Sequence, residues 1–434
     1  MNGLPMTLLV TSILISATCL IQSPPEAPQD LLETPETASV ATEVIALMDT
    51  LVEEGRVSGA GALITVDGET ILEHFAGTQR PGGGNAIDGN SIYRIFSMSK
   101  PITNAAAMMC HEDGLFELDD PVYRYLPEFK TMNVHVSDPL SDTATTRPAE
   151  SAITIRQLML HTSGMYYPES ASPELARALN QAISGSTDLA SLSRNLAALP
   201  LVDDPGKRWV YSISPAILGR LVEVVSKKPF EAFLNERIFE PLKMNNTAFA
   251  PTDPDRLVEI QFALPEQTTF NQSEEQRSIG TEILTFAMLG ISKLPAIHAG
   301  DSGLFSTLSD YERFVRMLLN DGELEGVRIL APSSAVMMRS AQIPASVGGP
   351  PWFGGTMLVG MNIYTPPADG TGPQGIPHGS FIGGGAATTA YIADPAVNGT
   401  AVFMTALLPT DNTMATNFMR ICRKAMEAST PKRD

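Results

Sequence analysis

Residues 94–104 read "RIFSMSKPITN" and place two serines beside one lysine. If a helix starts near Ser97, then Ser97 and Lys100 occupy positions i and i+3 on one helical face, with Cβ atoms about 5–6 Å apart. Ser99 is adjacent to Lys100 along the chain and points to a different face, so it cannot cooperate with the lysine. The spacing predicts Ser97 as the nucleophile. The same spacing at Ser429–Lys432 shows that the motif needs support from the rest of the chain.

An activated serine requires partners elsewhere in the sequence. A serine hydroxyl is a weak nucleophile and needs a base, and Lys100 can serve if desolvation lowers its pKa. A second group should share the lysine proton. Tyr211 is the candidate, because it follows a Pro-Gly turn and precedes an amphipathic helix, in a loop that the fold can direct into a cleft. A tyrosine next to a serine is, on its own, more often structural.

Composition limits the classes of function. The 434 residues predict a two-lobed body, and 43% hydrophobic with 18% charged residues is typical of a globular protein. A formal net charge of −19 argues against nucleic acid as a partner, because a phosphate-binding surface needs clustered Lys and Arg. A small-molecule substrate fits this composition.

Motifs for metals and cofactors are missing from the sequence. The cysteines are Cys19, Cys110 and Cys422, an odd and sparse set that predicts neither a disulfide framework nor a metal site. His111–Glu112 does not begin a zinc motif, since Leu115 stands where the second histidine belongs. The sequence also has no P-loop, no dinucleotide-binding glycine motif and no GxSxG nucleophile elbow. We therefore expect no cofactor and no metal.

The N-terminus favours export. An apolar run over 6–20 is followed by a Pro-rich stretch, so residues 1–37 are interpreted as a signal segment and linker, and the mature protein as periplasmic or secreted. The alternative is a cytoplasmic protein, because the first residues carry no Lys or Arg. No other stretch is long enough to span a bilayer, so we expect no stable membrane insertion after processing.

Hydrophobic periodicity predicts β-structure near both ends of the chain and helices in the middle. A helix over 40–54 precedes a hairpin at Asp67–Gly68, and two strands within 388–408 precede a helix over 415–428. Ser309 and Glu312 fit a capping box that starts another helix. The fold class is α/β: an antiparallel sheet flanked by helices, with an inserted all-α lobe and a cleft between them.

Domain boundaries follow from this pattern. Residues 38–105 and 286–434 are predicted to form the α/β domain, and residues 106–285 the mostly helical domain.

Several motifs together resemble the serine β-lactamase-like superfamily. They are the segment 91–126, "LMLHTSGM" (158–165) and "PGKRWVYS" (205–212), and the resemblance extends over roughly 40–425. Within the superfamily the sequence is most similar to the family VIII carboxylesterases, which are related to class C β-lactamases and D-Ala-D-Ala carboxypeptidases. The resemblance implies the β-lactamase/transpeptidase-like fold.

The resemblance also implies roles for particular residues. Ser97 would be the acylated nucleophile, Lys100 its general base, and Tyr211 the tyrosine of the second motif. The third motif, Lys-Thr-Gly in the lactamases and often Trp-Gly-Gly in the esterases, aligns with Gly383–Gly385. The backbone N–H groups of Ser97 and Ala386 would then form the oxyanion hole.

The third motif departs from the family pattern, because Gly383, Gly384 and Gly385 include neither lysine nor tryptophan. A lysine there would pair with a substrate carboxylate, so its absence lowers the expectation of lactamase or carboxypeptidase activity. We expect the three glycines to bind substrate by letting a strand approach it and to leave room for a bulkier acyl or alcohol group. The alternative is that the glycines only permit a bend.

Other residues are weaker candidates. Tyr166 is expected to line the cleft and bind substrate, and ordinary packing is the alternative for it and for Tyr167. His161 lies in a segment that is a structural turn in the family, and His378 is expected at the rim of the cleft. No chemistry is assigned to Ser302.

The sequence thus predicts a serine hydrolase that cleaves small carboxylic esters with short acyl chains. Tyr211, together with Lys100, would remove the proton from Ser97, and water would later hydrolyse the acyl-enzyme. The first alternative is a β-lactamase, a D-amino-acid peptidase or amidase, or an acyltransferase on the same scaffold. The second is a non-catalytic ligand sensor, which would be expected to have lost one of these three residues.

Overall fold

The computed structural model describes residues 35–136, 145–263, 297–343, 347–349, 358–359, 363–365 and 376–429. The expected signal segment lies outside the described residues. Within them, no helix combines the length and the apolar character needed to cross a bilayer.

An antiparallel sheet forms the centre of the fold. The strands in the described part of the chain are β1 (Gly59–Val66), β2 (Glu69–Arg80), β3 (Gly83–Ala86), β4 (Tyr93–Arg94), β5 (Asn133–Val136), β6 (Thr145–Pro148), β7 (Gln261–Phe262), β8 (Phe305–Ser306), β9 (Glu323–Leu324), β10 (Val327–Arg328), β11 (Leu358–Val359), β12 (Tyr364–Thr365), β13 (Phe381–Gly385), β14 (Thr389–Asp394), β15 (Gly399–Thr405) and β16 (Leu407–Leu408). The main sheet has the order β11-β12-β13-β14-β15-β1-β2-β3. Its strands therefore come from both ends of the chain.

Helices cover both faces of this sheet. The α-helices in the described residues are α1 (Pro35–Glu53), α2 (Ser99–Glu112), α3 (Ile155–Met159), α4 (Pro173–Ser184), α5 (Leu189–Ala197), α6 (Ser214–Ser226), α7 (Phe230–Leu234), α8 (Leu308–Leu319), α9 (Pro332–Arg339) and α10 (Asn412–Ser429). The terminal helices α1 and α10 pack against each other on one face, and α8 packs on the other. Helix α2 packs against α6 in the helical region. The predicted α/β fold class is confirmed.

Strand β1 shows how the sequence suits its place in the sheet. All eight of its residues are buried, because helices cover both faces of the sheet. Ala62 and Ile64 belong to the core under α1 and α10, whereas Leu63 belongs to the core under α8. The predicted hairpin is also confirmed, since Asp67 and Gly68 both have positive φ and join β1 to β2.

The predicted capping box at the start of α8 is wrong. The helix begins two residues earlier, and Thr307 Oγ1 accepts the capping hydrogen bond from Asp310 N at 3.3 Å. Glu312 instead points into the sheet, where its Oε1 accepts hydrogen bonds at 3.0 Å from the hydroxyls of Thr65 and Thr400. A buried carboxylate needs such partners, and the sheet supplies them.

Helices do dominate the stretch between the sheet-forming segments, but the two domain boundaries near 105 and 285 stay predictions. The second boundary falls in 264–296, outside the described residues.

Candidate active site

Ser97 lies in a single 3₁₀ turn, Phe96–Met98, that runs directly into α2. Phe96 has a φ of +43°, in the left-handed region that residues other than glycine rarely adopt. The Tyr311 hydroxyl on α8 donates to the Met98 carbonyl at 2.9 Å and fixes the other side of the turn. This strained turn, held in place by packing, puts Ser97 on the wall of a cavity.

The cavity has a volume of about 460 Å³ and lies between the sheet and the helical region. Strands β13 and β14, the loops that carry Tyr167 and Tyr211, and the start of α10 all contribute residues to its lining. The charged residues among the described lining are Lys100, Glu169 and Asp301. The arrangement is a concave, mostly apolar site with few polar groups, as expected for a small-molecule pocket.

Lys100 lies in the first turn of α2 and is 1% exposed. Its Nζ is 3.1 Å from Ser97 Oγ and donates to the Asp301 carbonyl at 2.8 Å. Burial lowers the pKa of Lys100 to about 8, although the carboxylates of Asp301 and Glu169 act in the opposite direction. The neutral form of Lys100, which can accept a proton, is therefore more populated near pH 7 than that of an ordinary lysine.

Tyr211 completes the predicted group of three. It hydrogen-bonds to Ser97, and the Lys100 ammonium lies 4.7 Å from the centre of its ring. Burial raises the pKa of Tyr211 above its ordinary value, and the bond with Ser97 offsets this only in part. Tyr211 is thus a neutral phenol near pH 7. Of the two groups, Lys100 is the better suited to accept a proton, and the Tyr211 hydroxyl is placed to relay one.

His161 holds the loop that carries Tyr211. The His161 ring lies 4.7 Å from the Tyr211 ring, and its Nδ1 accepts a hydrogen bond from Ser212 N at 3.2 Å. Val210 N also donates to the His161 carbonyl at 2.8 Å. His161 is fully buried and does not line the cavity, so its contacts fit a structural role.

The structure places Tyr167, not Tyr166, at the cavity. Tyr166 is buried in the helical core, and its hydroxyl lies 3.5 Å from the Leu175 carbonyl. Tyr167 lines the cavity, donates to Asp301 Oδ2 at 2.6 Å, and lies with its ring centre 5.2 Å from Lys100 Nζ. Adjacent residues in an extended loop face opposite ways, which is why position alone could not separate the two tyrosines.

Asp301 is a site residue that the sequence did not indicate. It lies beside Ser302, in a loop to which no chemistry was assigned. Its carbonyl accepts a hydrogen bond from Lys100, and its carboxylate accepts one from Tyr167. Asp301 therefore connects α2 to the loop that carries Tyr167. The sequence offers one weak indication of its role, an acidic residue within the Gly-rich loop "AGDSG". His378, by contrast, is exposed and lies outside the cavity lining.

The three glycines of the third motif are closely packed by neighbouring atoms, so none of these positions has room for a side chain. A Cβ atom on Gly383 would lie 2.5 Å from the Tyr391 ring, and one on Gly385 would lie 2.3 Å from the Ile95 carbonyl oxygen. At Gly384 a Cβ would meet the Thr389 carbonyl at 2.6 Å. All three glycines nevertheless line the cavity, so their contact with substrate, and the expected room for a bulkier acyl or alcohol group, stay predictions.

The expected oxyanion groups lie on the same cavity. Gly385 packs against the Ile95 carbonyl, so strand β13 ends directly beside the turn that carries Ser97. Ala386 follows that strand, and its carbonyl accepts a hydrogen bond from Thr410 Oγ1 at 2.7 Å. Both Ser97 and Ala386 line the cavity, an arrangement that is compatible with two backbone donors for one oxygen.

Ser99, the second serine of the opening stretch, has a structural role. It is fully buried, and its Oγ accepts a hydrogen bond from Leu304 N at 3.1 Å. This bond ties α2 to the loop that follows Asp301. Ser97 and Ser99 are two residues apart but serve different purposes.

We expect Ser99→Ala to reduce stability and to keep most of the ester turnover. The substitution leaves the buried Leu304 N–H without its acceptor, which costs about 1–3 kcal/mol of unfolding free energy. Denaturant unfolding and steady-state kinetics on one preparation check both parts. If a folded Ser99→Ala protein were inactive, Ser99 would need a chemical role.

Comparisons with known proteins identify the family of the chain. A Beta-lactamase family model matches residues 44–422. Protein Rv1367c of Mycobacterium tuberculosis is 32% identical over 356 residues, which are 80% of this chain and 85% of that protein. Esterase EstB of Burkholderia gladioli is 28% identical over 78% of this chain and 84% of its own length.

Solved structures show the same fold. EstCE1, described as a hydrolase with promiscuous acyltransferase activity, matches with a TM-score of 0.71 at 24% identity, over 91% of this chain and all of its own. Simvastatin synthase (LovD) from Aspergillus terreus matches with a TM-score of 0.72 at 21% identity, over 91% of this chain and 99% of its own. With the family model spanning most of the residues, the chain belongs to the β-lactamase family and is a serine hydrolase or acyl-transferring enzyme on that scaffold.

Proposed function

We propose that this protein is a carboxylesterase that hydrolyses small, short-chain acyl esters through an acyl-enzyme on Ser97. One contact carries the proposal: Ser97 Oγ lies 3.1 Å from a buried lysine whose pKa is lowered to about 8, with the Tyr211 phenol bound to the same serine. A nucleophile with a base at hydrogen-bond distance and a third orienting group is the arrangement that acyl transfer needs.

The reaction follows from the protonation states of these groups. Neutral Lys100 takes the Ser97 proton, directly or through Tyr211, while Ser97 Oγ attacks the ester carbonyl. The backbone N–H groups of Ser97 and Ala386 bind the oxyanion that forms. The Tyr211 hydroxyl then delivers a proton to the departing alkoxide and is reprotonated from Lys100. Water attacks the acyl-enzyme by the same route in reverse, and the carboxylic acid leaves.

The charges of the cavity favour a neutral ester over a β-lactam or a peptide carboxylate. Among the described lining residues, Lys100 is the one cation, and its Nζ is already bound to Ser97 and Asp301. Glu169 and Asp301 add carboxylates that repel a substrate anion. A glycine also stands where the lactamase motif has its lysine. This supports placing the chain with the family VIII carboxylesterases.

Acyl transfer to an alcohol is the second candidate. The acyl-enzyme is common to both reactions, and a structural neighbour, EstCE1, is described as having promiscuous acyltransferase activity. Adding an alcohol such as butanol during turnover of an ester, and measuring the ratio of butyl ester to free acid, separates the two reactions. A transesterification product that dominates at low alcohol concentration would make transfer the main activity.

A panel of p-nitrophenyl acetate, butyrate and octanoate, with nitrocefin as the β-lactam, tests the proposal. We expect kcat/KM for acetate or butyrate to exceed that for octanoate by about tenfold or more, because a longer acyl chain must share a cavity of about 460 Å³ with the alcohol group. Nitrocefin should be cleaved more slowly than either short ester. A preference for octanoate would contradict the short-chain assignment, and faster nitrocefin cleavage would make the protein a β-lactamase.

A further inference from the structure

The loop that carries Asp301 is hydrogen-bonded to α2 through its backbone. Lys100 Nζ donates to the Asp301 carbonyl at 2.8 Å. One residue earlier, the Gly300 carbonyl accepts a hydrogen bond from Thr103 Oγ1 at 2.7 Å. A Cβ atom on Gly300 would lie 2.6 Å from the same hydroxyl, so the loop and the helix are in direct contact. Because any amino acid can supply a backbone carbonyl, the bond with Lys100 does not explain why residue 301 is an aspartate.

The carboxylate of Asp301 is buried and has neutral partners. Asp301 is 4% exposed, and its Oδ2 accepts hydrogen bonds from the Tyr167 hydroxyl at 2.6 Å and the Ser302 hydroxyl at 3.0 Å. A buried charge is costly, and a neutral side chain at this position could accept the same hydrogen bonds at a lower cost. The charge therefore needs a reason beyond these two contacts.

Lys100 is the cation close to this carboxylate. The carbonyl and the carboxylate belong to one residue, so the negative charge is necessarily near Lys100 Nζ. Burial lowers the pKa of Lys100 to about 8, and the charges of Asp301 and Glu169 oppose that fall. The other titratable groups that face Lys100 in the described structure are Tyr167 and Tyr211. Burial raises the pKa of both phenols, so they are neutral near pH 7.

Tyr167 connects the carboxylate to the catalytic groups. The centre of its ring lies 5.2 Å from Lys100 Nζ and 5.3 Å from the centre of the Tyr211 ring. Hydrogen bonds to an ionised acceptor are stronger than those between neutral groups. The bond from Tyr167 to Asp301 Oδ2 therefore fixes the ring that packs beside both the ammonium and the Tyr211 phenol.

We propose that Asp301 is a positioning residue whose side chain sets the pH range in which Lys100 works as a base. Its charge keeps Lys100 protonated to a higher pH than burial alone would allow. Its bond to Tyr167 fixes the aromatic ring beside the ammonium. In this role Asp301 acts through Lys100 and Tyr167 and not on the substrate. The inference rests on the proposed esterase function and assigns a further residue to it.

Asp301→Asn tests the role of the charge. The variant keeps the backbone carbonyl for Lys100 and one side-chain oxygen for Tyr167. With less negative charge nearby, the pKa of Lys100 falls, so the neutral lysine persists to lower pH. We expect the inflection of kcat/KM for p-nitrophenyl butyrate to lie about one pH unit below that of wild type. The ratio of kcat/KM at pH 9 to that at pH 6 should fall from about 100 to about 10.

Tyr167→Phe tests the positioning of the ring. The substitution removes the hydroxyl that binds Asp301 and keeps both the ring and the charge. We expect kcat/KM to fall about tenfold at every pH, because the ring beside the ammonium is no longer fixed. The inflection should stay at the wild-type pH, since the carboxylate remains. A Tyr167→Phe protein with wild-type kcat/KM would overturn this part of the proposal.

Asp310→Asn is the matched control for the loss of a buried charge. Asp310 is also 4% exposed, and its Oδ2 accepts hydrogen bonds from Asn246 N at 2.7 Å and Thr247 Oγ1 at 3.0 Å. It lies outside the cavity lining. We expect this variant to lose stability and to keep the inflection of kcat/KM at the wild-type pH.

The outcomes separate this inference from the proposed function. If wild type hydrolyses no ester, the esterase proposal itself fails. If wild type shows the inflection near pH 8 and Asp301→Asn keeps it there, the esterase proposal stands and the role of Asp301 is refuted. An equal shift in Asp310→Asn would refute it as well. Should Asp301→Asn fail to fold, Asp301→Ser provides the same comparison with a smaller neutral side chain.

Discussion

Ser97→Ala is expected to lower kcat/KM for p-nitrophenyl butyrate by on the order of 10³-fold or more. The substitution removes the atom that we propose is acylated, and among the described residues the hydrogen bonds of Ser97 Oγ are those with Lys100 and Tyr211. Steady-state kinetics with the spontaneous rate subtracted measures the loss. Circular dichroism should show an unchanged fold.

Ser302→Ala is the matched control for that loss. Ser302 lines the same cavity, and its hydroxyl donates to Asp301 Oδ2 at 3.0 Å without reaching Ser97. We expect this variant to keep most of its activity. If Ser97→Ala retained wild-type turnover while Ser302→Ala lost it, the nucleophile would be misassigned.

The pH dependence of kcat/KM should reflect the ionisation of Lys100. The pKa of Lys100 is lowered to about 8, so the lysine is protonated below that pH and cannot accept the serine proton. We therefore expect kcat/KM to fall about tenfold for each pH unit below 8 and to level off above it. Following p-nitrophenol release at its isosbestic wavelength removes the ionisation of the product from the measurement.

Substitution of Lys100 gives the second large effect. Lys100→Met removes the base and its bonds to Ser97 and Asp301, and we expect a loss of about 10²–10⁴-fold in kcat/KM at pH 8. Lys100→Arg keeps a positive charge that does not titrate in this range, so its residual activity should lack the inflection near pH 8. An inflection that persists in Lys100→Arg would belong to another group and would remove Lys100 from the role of base.

Local features of the fold were predictable from sequence because they depend on neighbours along the chain. The i, i+3 spacing of Ser97 and Lys100, the Asp67–Gly68 hairpin and the helix after Tyr211 each follow from a few adjacent residues. The cap of α8 was misplaced because Thr307 and Ser309 are both good capping residues, and Glu312 binds the sheet and Arg316 rather than the helix N-terminus.

The rest of the site depends on contacts between distant residues. The Lys100 ammonium donates a hydrogen bond to the carbonyl of Asp301, which lies 201 residues further along the chain. No feature of the local sequence "AGDSG" predicts this contact. Tyr391 fills the space beside Gly383 because two strands pair in a particular register. Sequence pattern identified the third motif but not what its glycines accommodate.

Ser97 is the residue that we expect to become acylated. A short-chain alkylphosphonate p-nitrophenyl ester mimics the tetrahedral intermediate and leaves a stable adduct on the nucleophile. Intact mass and peptide mapping should show one adduct per chain, on Ser97, with release of one p-nitrophenol and loss of ester turnover. An adduct on Ser99, Ser302 or Tyr211, with Ser97 unmodified, would contradict the account.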